Sequence, residues 1–155
     1  MILLCGQEVG CKALDFFTPK AAVCYDEITR EKAGILKTPY VCTKFYPQLI
    51  PVNVLLSVHG REIIKKETLE QIPCYNIHPY LYCYKGADPI GRAIKAKNTW
   101  ASVGLHKMSE EADVGEVIFE VFAKIEFTDS YEVFYSRLYP LYHACFHKFK
   151  EILNA

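Results

Sequence analysis

The chain opens on an uninterrupted apolar run, Ile2-Leu3-Leu4-Cys5, which is too short for a helix and predicts a strand buried on both faces. From Gln7 to Phe17 the apolar residues shift to helical spacing, with Val9, Leu14 and Phe17 on one side and Thr18-Pro19 as a stop. Ala21 to Tyr25 then predicts a second strand. A strand, helix, strand order predicts a right-handed parallel crossover, the start of a Rossmann-like sheet. Between Asp26 and Pro51 the pattern weakens, with Pro39, Pro47 and Pro51 punctuating short apolar pieces, and only a brief strand, Tyr40 to Cys42, is expected.

Periodicity returns at Asn53 to Val58, a continuous apolar run suited to a central strand and ended by His59-Gly60. Ile63 to Ile72 predicts a short helix, Cys74 to His78 a strand, and Pro89 to Lys97 a helix with proline in its first turn. Trp100 to Met108 and Glu116 to Phe127 alternate as two strands of an antiparallel pair. Asp129-Ser130-Tyr131-Glu132 resembles a capping box opening one final helix, whose Val133, Leu138, Leu141, Cys145, Phe149 and Ile152 are spaced to cover the sheet and which Pro140 should kink. No repeat, low-complexity tract or linker interrupts the chain, so residues 1–155 read as one domain.

Composition agrees with such a domain: 155 residues, 51% hydrophobic and 23% charged. Acidic and basic residues balance at 18 each, leaving no net field to attract nucleic acid, so none is expected as a partner. Seven cysteines without a Cys-x-x-Cys pair predict reduced thiols and a cytoplasmic setting, with Cys5, Cys24, Cys42 and Cys74 as small core residues. No apolar run reaches membrane-spanning length, so no membrane association is expected.

The candidate chemistry lies mid-chain. Asn76 and His78 stand two apart on a predicted strand and so share one face, giving that surface a carboxamide and an imidazole. Asp113 lies in the polar stretch between the last two strands, where pairing beside the Asn76 strand would aim its carboxylate at His78. A carboxylate so placed is expected to raise the imidazole pKa and fix the ring.

The stretch Tyr75-Asn-Ile-His-Pro-Tyr-Leu-Tyr-Cys-Tyr-Lys-Gly-Ala-Asp-Pro-Ile90, with Val103-Gly-Leu-His-Lys-Met108 and Glu110-Glu-Ala-Asp-Val-Gly-Glu-Val117, resembles the catalytic region of the 10-formyltetrahydrofolate-dependent formyltransferases. That superfamily includes enzymes acting on methionyl-tRNA, on glycinamide ribonucleotide and on amino sugars of sugar nucleotides. The strong match runs from about Asn53 to about Ile125, and the ends agree only in pattern. With the strand pattern, the resemblance implies an α/β fold: a Rossmann-like, mostly parallel sheet with helices on both faces and an antiparallel hairpin near the active site. Residue for residue it implies Asn76, His78 and Asp113 as catalytic, with 10-formyltetrahydrofolate as formyl donor and no metal. The donor's pterin end would contact Val58, His59, Gly60, Ile63 and Ile64 after the central strand, and Glu111, Ala112 and Gly115 in the aspartate loop. Tyr80, Lys85 and Gly86 would face the acceptor.

The acceptor is expected to be a primary amine on a small molecule. Family members that bind a ribonucleotide phosphate use a Gly/Ser/Asn-rich loop after the first strand, but this chain has Gly6-Gln-Glu-Val-Gly10, where Glu8 would repel the anion. The chain stops after its last helix, without the C-terminal domain that methionyl-tRNA formyltransferase carries for its RNA. A nucleotide-linked amino sugar remains by elimination. The chain is shorter than most catalytic domains of the family around residues 26–51, which leaves open how complete the acceptor pocket is.

Other residues carry plainer readings. Arg61 and Lys85 could meet an anionic group but fit the surface better, His106 fits packing or support beside the site rather than catalysis, and Tyr75, Tyr80, Tyr82 and Tyr84 could stack on a pterin or base but fit core and rim packing better. His143 and His147 share a helix face, and with Cys145 invite a metal reading that lacks a fourth ligand. Hydrolysis of the donor, glycinamide ribonucleotide or methionyl-tRNA as acceptor, and a non-catalytic folate-binding module stand as alternatives, and a homodimer stays open.

Overall fold

The computed structural model describes residues 1–42, 44–45 and 52–155. Its elements run β1 (Ile2–Cys5), α1 (Gln7–Phe17), β2 (Ala21–Cys24), α2 (Glu27–Ile35), β3 (Tyr40–Val41), β4 (Leu55–Val58), α3 (Lys66–Gln71) and β5 (Cys74–Pro79). They continue through α4 (Pro89–Lys95), β6 (Trp100–Lys107), β7 (Val117–Lys124), α5 (Tyr131–Arg137) and α6 (Tyr139–Asn154). The strands form one seven-stranded sheet in the order β3-β2-β1-β4-β5-β6-β7. Pairings from β3 through β5 are parallel, and β5–β6 and β6–β7 are antiparallel. The expected α/β architecture is the one observed.

Alternate strand residues face opposite sides of the sheet and build two cores. On one side Leu3, Cys5, Ala22, Leu56, Val58 and Ile77 pack with Val9, Ala13 and Leu14 of α1 and with Phe146 and Phe149 of α6. On the other, Ile2, Leu4, Val23, Leu55 and Cys74 meet Leu69 and Ile72 at α3. Strands buried on both faces need apolar residues at every position, which is why β1, β2 and β4 read as unbroken runs.

Several expectations are corrected. The stretch after Asp26 holds α2, whose first turn is capped by the Asp26 carboxylate accepting from the Thr29 amide at 3.2 Å. Pro47 and Pro51 of that stretch lie outside the described residues. The helix expected over Ile63 to Ile72 is only α3, which starts at Lys66 and leaves Ile63 outside it and 79% exposed. The single kinked C-terminal helix is two helices meeting at Leu138, with Pro140 in the first turn of α6, where its missing N–H costs nothing. Ser130 rather than Asp129 caps α5, and Phe134 is buried while Val133 is exposed. Cys42 is exposed and is not a core residue. Among the described residues, no helix is long and apolar enough to cross a membrane.

Candidate active site

The order of strands sets where a site can form. From β1 the chain crosses one way to β2, while β4 lies on the other flank, so a crevice opens at the carboxyl ends of β1 and β4, the usual place for a ligand in such sheets. A cavity of about 350 Å³ lies there, lined by Gln7 after β1, His59 to Ile64 after β4, Asn76 to Pro79 of β5 and residues 108–109 and 111–113 of the β6–β7 loop. Four of its lining residues, Gln7, His59, Asp88 and Asp113, hold left-handed backbone angles of φ 60, 57, 50 and 59°. Such non-glycine strain persists where surroundings over-determine it, and it gathers at functional sites.

Asn76, His78 and Asp113 meet in this cavity. The Asn76 amide donates to Asp113 Oδ1 at 3.1 Å, and His78 Nδ1 is 3.5 Å from Asp113 Oδ2. The Gly86 amide donates to the same Oδ2 at 2.8 Å, fixing the carboxylate from the opposite loop. A fourth residue joins them. The antiparallel register sets His106 of β6 directly across from Asn76, and its Nε2 lies 3.3 Å from Asn76 Nδ2 and 3.4 Å from Asp113 Oδ1. His106 Nδ1 donates to the Lys107 carbonyl at 2.8 Å, leaving Nε2 to accept from Asn76 or, once protonated, to donate to Asp113.

These contacts set the charges. Burial alone would raise the Asp113 carboxyl, but the hydrogen bond from His106, the His78 ring and the Gly86 amide hold it at about 2. For His78 the balance falls the other way: burial lowers its pKa below the ordinary imidazole value, and Asp113 and the Tyr84 carbonyl only partly offset this. The expectation that Asp113 leaves His78 with a raised pKa is therefore corrected, since a ring this buried loses more by desolvation than a carboxylate at 3.5 Å returns. His78 Nε2 donates to the Tyr84 carbonyl at 2.9 Å, so the neutral ring turns a bare Nδ1 toward Asp113.

Residues 19–148 match the family model for formyl transferase. The chain belongs to the formyl transferase family. It is 34% identical over 97 residues to methionyl-tRNA formyltransferase of Pseudothermotoga lettingae, a match covering 60% of this chain and 32% of that protein. The chain thus spans about a third of the length of that relative. In structure it resembles phosphoribosylglycinamide formyltransferase of Streptococcus pneumoniae, with TM-score 0.83, 16% identity and coverage of 99% of this chain and 98% of the other. It also resembles an N-formyltransferase of Helicobacter canadensis in complex with folinic acid and dTDP-3-aminofucose, with TM-score 0.78, 18% identity and coverage of 99% and 63%. At these identities the two structures share the family's fold.

The remaining residues singled out in the sequence divide by position. His59, Gly60, Ile63, Ile64, Gly86, Glu111 and Ala112 line the cavity. Val58 and Tyr80 do not, because both side chains are 0% exposed inside the core, where Tyr80 stacks on Phe134. Lys85 and Gly115 also stand off the wall, Lys85 giving its carbonyl to Arg92 and Gly115 packing on the Lys107 carbonyl. Cys145 is buried on the face of α6 turned to Val103 of β6, while His143 and His147 are exposed against Phe16, so these three do not converge. Sequence reasoning missed Gln7, Ser57, Asp88 and Met108 of the wall, whereas His106, read as packing or support beside the site, does stand against Asn76 and Asp113. Gln7 and Asp88 carried one signal, a helix start directly after a predicted strand or loop.

Proposed function

We propose that the chain transfers a formyl group from 10-formyltetrahydrofolate to a primary amine of a small substrate, with a nucleotide-linked amino sugar as the favoured acceptor. The observation that carries this reading is the joint placement of Asn76, His78 and Asp113, with His106, on one cavity wall. The cavity fits the donor's aromatic end, since Ile63 and Ile64 offer apolar surface and the backbone of residues 59–64 and 111–113 offers donors and acceptors.

Attack by an amine on the formyl carbon places negative charge on the formyl oxygen, and the new C–N bond leaves a proton on the amine nitrogen. The Asn76 carboxamide is the donor for that oxygen. Both of its N–H groups have partners within the protein, Asp113 and His106, so the oxygen replaces His106 as the second partner. The bare His78 Nδ1 takes the amine proton, Asp113 stabilises the imidazolium that forms, and the proton passes to the folate nitrogen as its bond to the formyl carbon breaks. His78 thus serves in proton transfer rather than as a pre-charged donor.

A panel of amines, including nucleotide-linked amino sugars, incubated with the donor tests the reading. Formylated amine should form in step with tetrahydrofolate; release of formate alone would replace transfer with hydrolysis, and donor binding without turnover would leave a binding module.

A further inference from the structure

Among the described residues, the charged groups on the cavity wall are four carboxylates, Glu62, Asp88, Glu111 and Asp113, and one guanidinium, Arg61. That guanidinium pairs with Asp26: Arg61 Nη2, on a side chain 58% exposed, lies 3.6 Å from Asp26 Oδ2. The same Asp26 oxygen accepts from the Gln7 amide at 2.6 Å, and the Tyr135 hydroxyl accepts from the Val9 amide at 3.2 Å. Two of the first-turn amides of α1 that an incoming anion would use, those of Gln7 and Val9, are thus taken by the protein's own oxygens. Burial would raise the Asp26 carboxyl, yet Gln7, Thr29 and Arg61 hold it below the usual range, so its charge is retained. Gln7, left-handed at φ 60° and bonded through its amide to Asp26, is the cavity-lining residue at this end and its side chain is an uncharged carboxamide.

We infer that Asp26 sets acceptor selectivity: by consuming Arg61 and the Gln7 amide it excludes phosphate and carboxylate groups from the β1 end of the cavity. The part of the acceptor next to its amine is then uncharged and hydroxyl-bearing, read by Gln7. Any phosphate of a nucleotide-linked acceptor lies beyond this wall. Asp26 acts through Gln7 and Arg61 and is a positioning residue. The inference deepens the transfer reading and rests on it for the word acceptor, but the exclusion itself is a binding property.

The test uses inorganic phosphate as probe, with chloride at matched ionic strength as control, and reads thermal stabilisation of the full chain. Asp26→Ser keeps a side-chain cap for α2 while freeing Arg61 and the Gln7 amide, and Asp26→Asn removes the charge with the least change of shape. Wild type should show no phosphate-specific shift, while Asp26→Ser should bind phosphate at least roughly tenfold more tightly than wild type. Adding Arg61→Ala should abolish the gain. Equal response of wild type and Asp26→Ser, or no response from either Asp26 variant with circular dichroism showing both folded, overturns the inference. No folate or turnover enters the measurement, so a failure of formyl transfer is a separate result.

Discussion

Asn76 and His106 face each other across the β5–β6 pairing, with Asn76 Nδ2 3.3 Å from His106 Nε2 and both side chains within 3.4 Å of Asp113 Oδ1. The carboxylate thus closes a triangle whose other corners come from neighbouring strands. Loops are mobile by default, and here Asn76 and His106 on the strands and the Gly86 amide from the opposite loop together pin Asp113.

His106→Leu should therefore release Asp113 rather than unfold the sheet. With its largest favourable partner gone, burial is less opposed and the Asp113 pKa should rise from about 2. Carboxyl carbon chemical shifts followed against pH would show the midpoint moving up, and the acid limb of any turnover profile should move with it. An unmoved midpoint would remove His106 from the network.

Gly115→Ala should displace the same aspartate from the other side. A Cβ at this position falls 1.8 Å from the Lys107 carbonyl oxygen, the oxygen to which His106 donates, so the backbone must shift. Turnover should fall roughly a hundredfold, the scale on which misplacement of a catalytic group by about 1 Å acts, while the far core around Phe149 stays intact. Steady-state rates set beside thermal unfolding of the variant would separate the two effects.

The second structural histidine predicts a pH dependence of stability. His59 Nε2 lies 2.5 Å from the hydroxyl of Tyr142, and burial, reinforced by His78, lowers its pKa to about 4. An unfolded chain binds this proton near 6.5, so between 6.5 and 4 the unfolded state holds more protons and folding weakens as pH falls. The contribution is complete above 6.5 and is lost progressively toward 4, with an upper bound of about 2 kcal/mol by pH 5, reduced where the ring reaches water. Denaturant midpoints at pH 7.5 and 5 should differ for wild type and differ less for His59→Gln, which keeps a hydrogen-bonding partner for Tyr142.

Much of the fold was legible because buried parallel strands need apolar residues throughout: Ile2 to Cys5 matched its strand residue for residue, and Leu55 to Val58 fell within the expected run. The helix α2 was not, since only Thr29 and Ala33 are buried and Ile28 and Ile35 point outward, leaving almost no apolar stripe. Its one signal was the Asp26 to Thr29 cap. At the site, Asn76 and His78 were legible from their two-residue spacing, a local property. His106 was legible only as packing or support beside the site; which residues it meets is fixed by the register between β5 and β6, which local pattern does not encode. The charge state of His78 was misjudged for a related reason: the sequence shows a nearby carboxylate but not the depth of burial.

The central claim is that the Asn76 carboxamide and the Asp113 carboxylate turn over the folate donor together. The direct measurement is the rate of tetrahydrofolate release from 10-formyltetrahydrofolate, with amine present, by wild type, Asn76→Ala and Asp113→Asn, each checked for native folding. Each substitution should lower the rate roughly 10²–10³-fold, and the double variant should lose little more, because the two groups share one hydrogen bond. Wild-type rates in either single variant would contradict it.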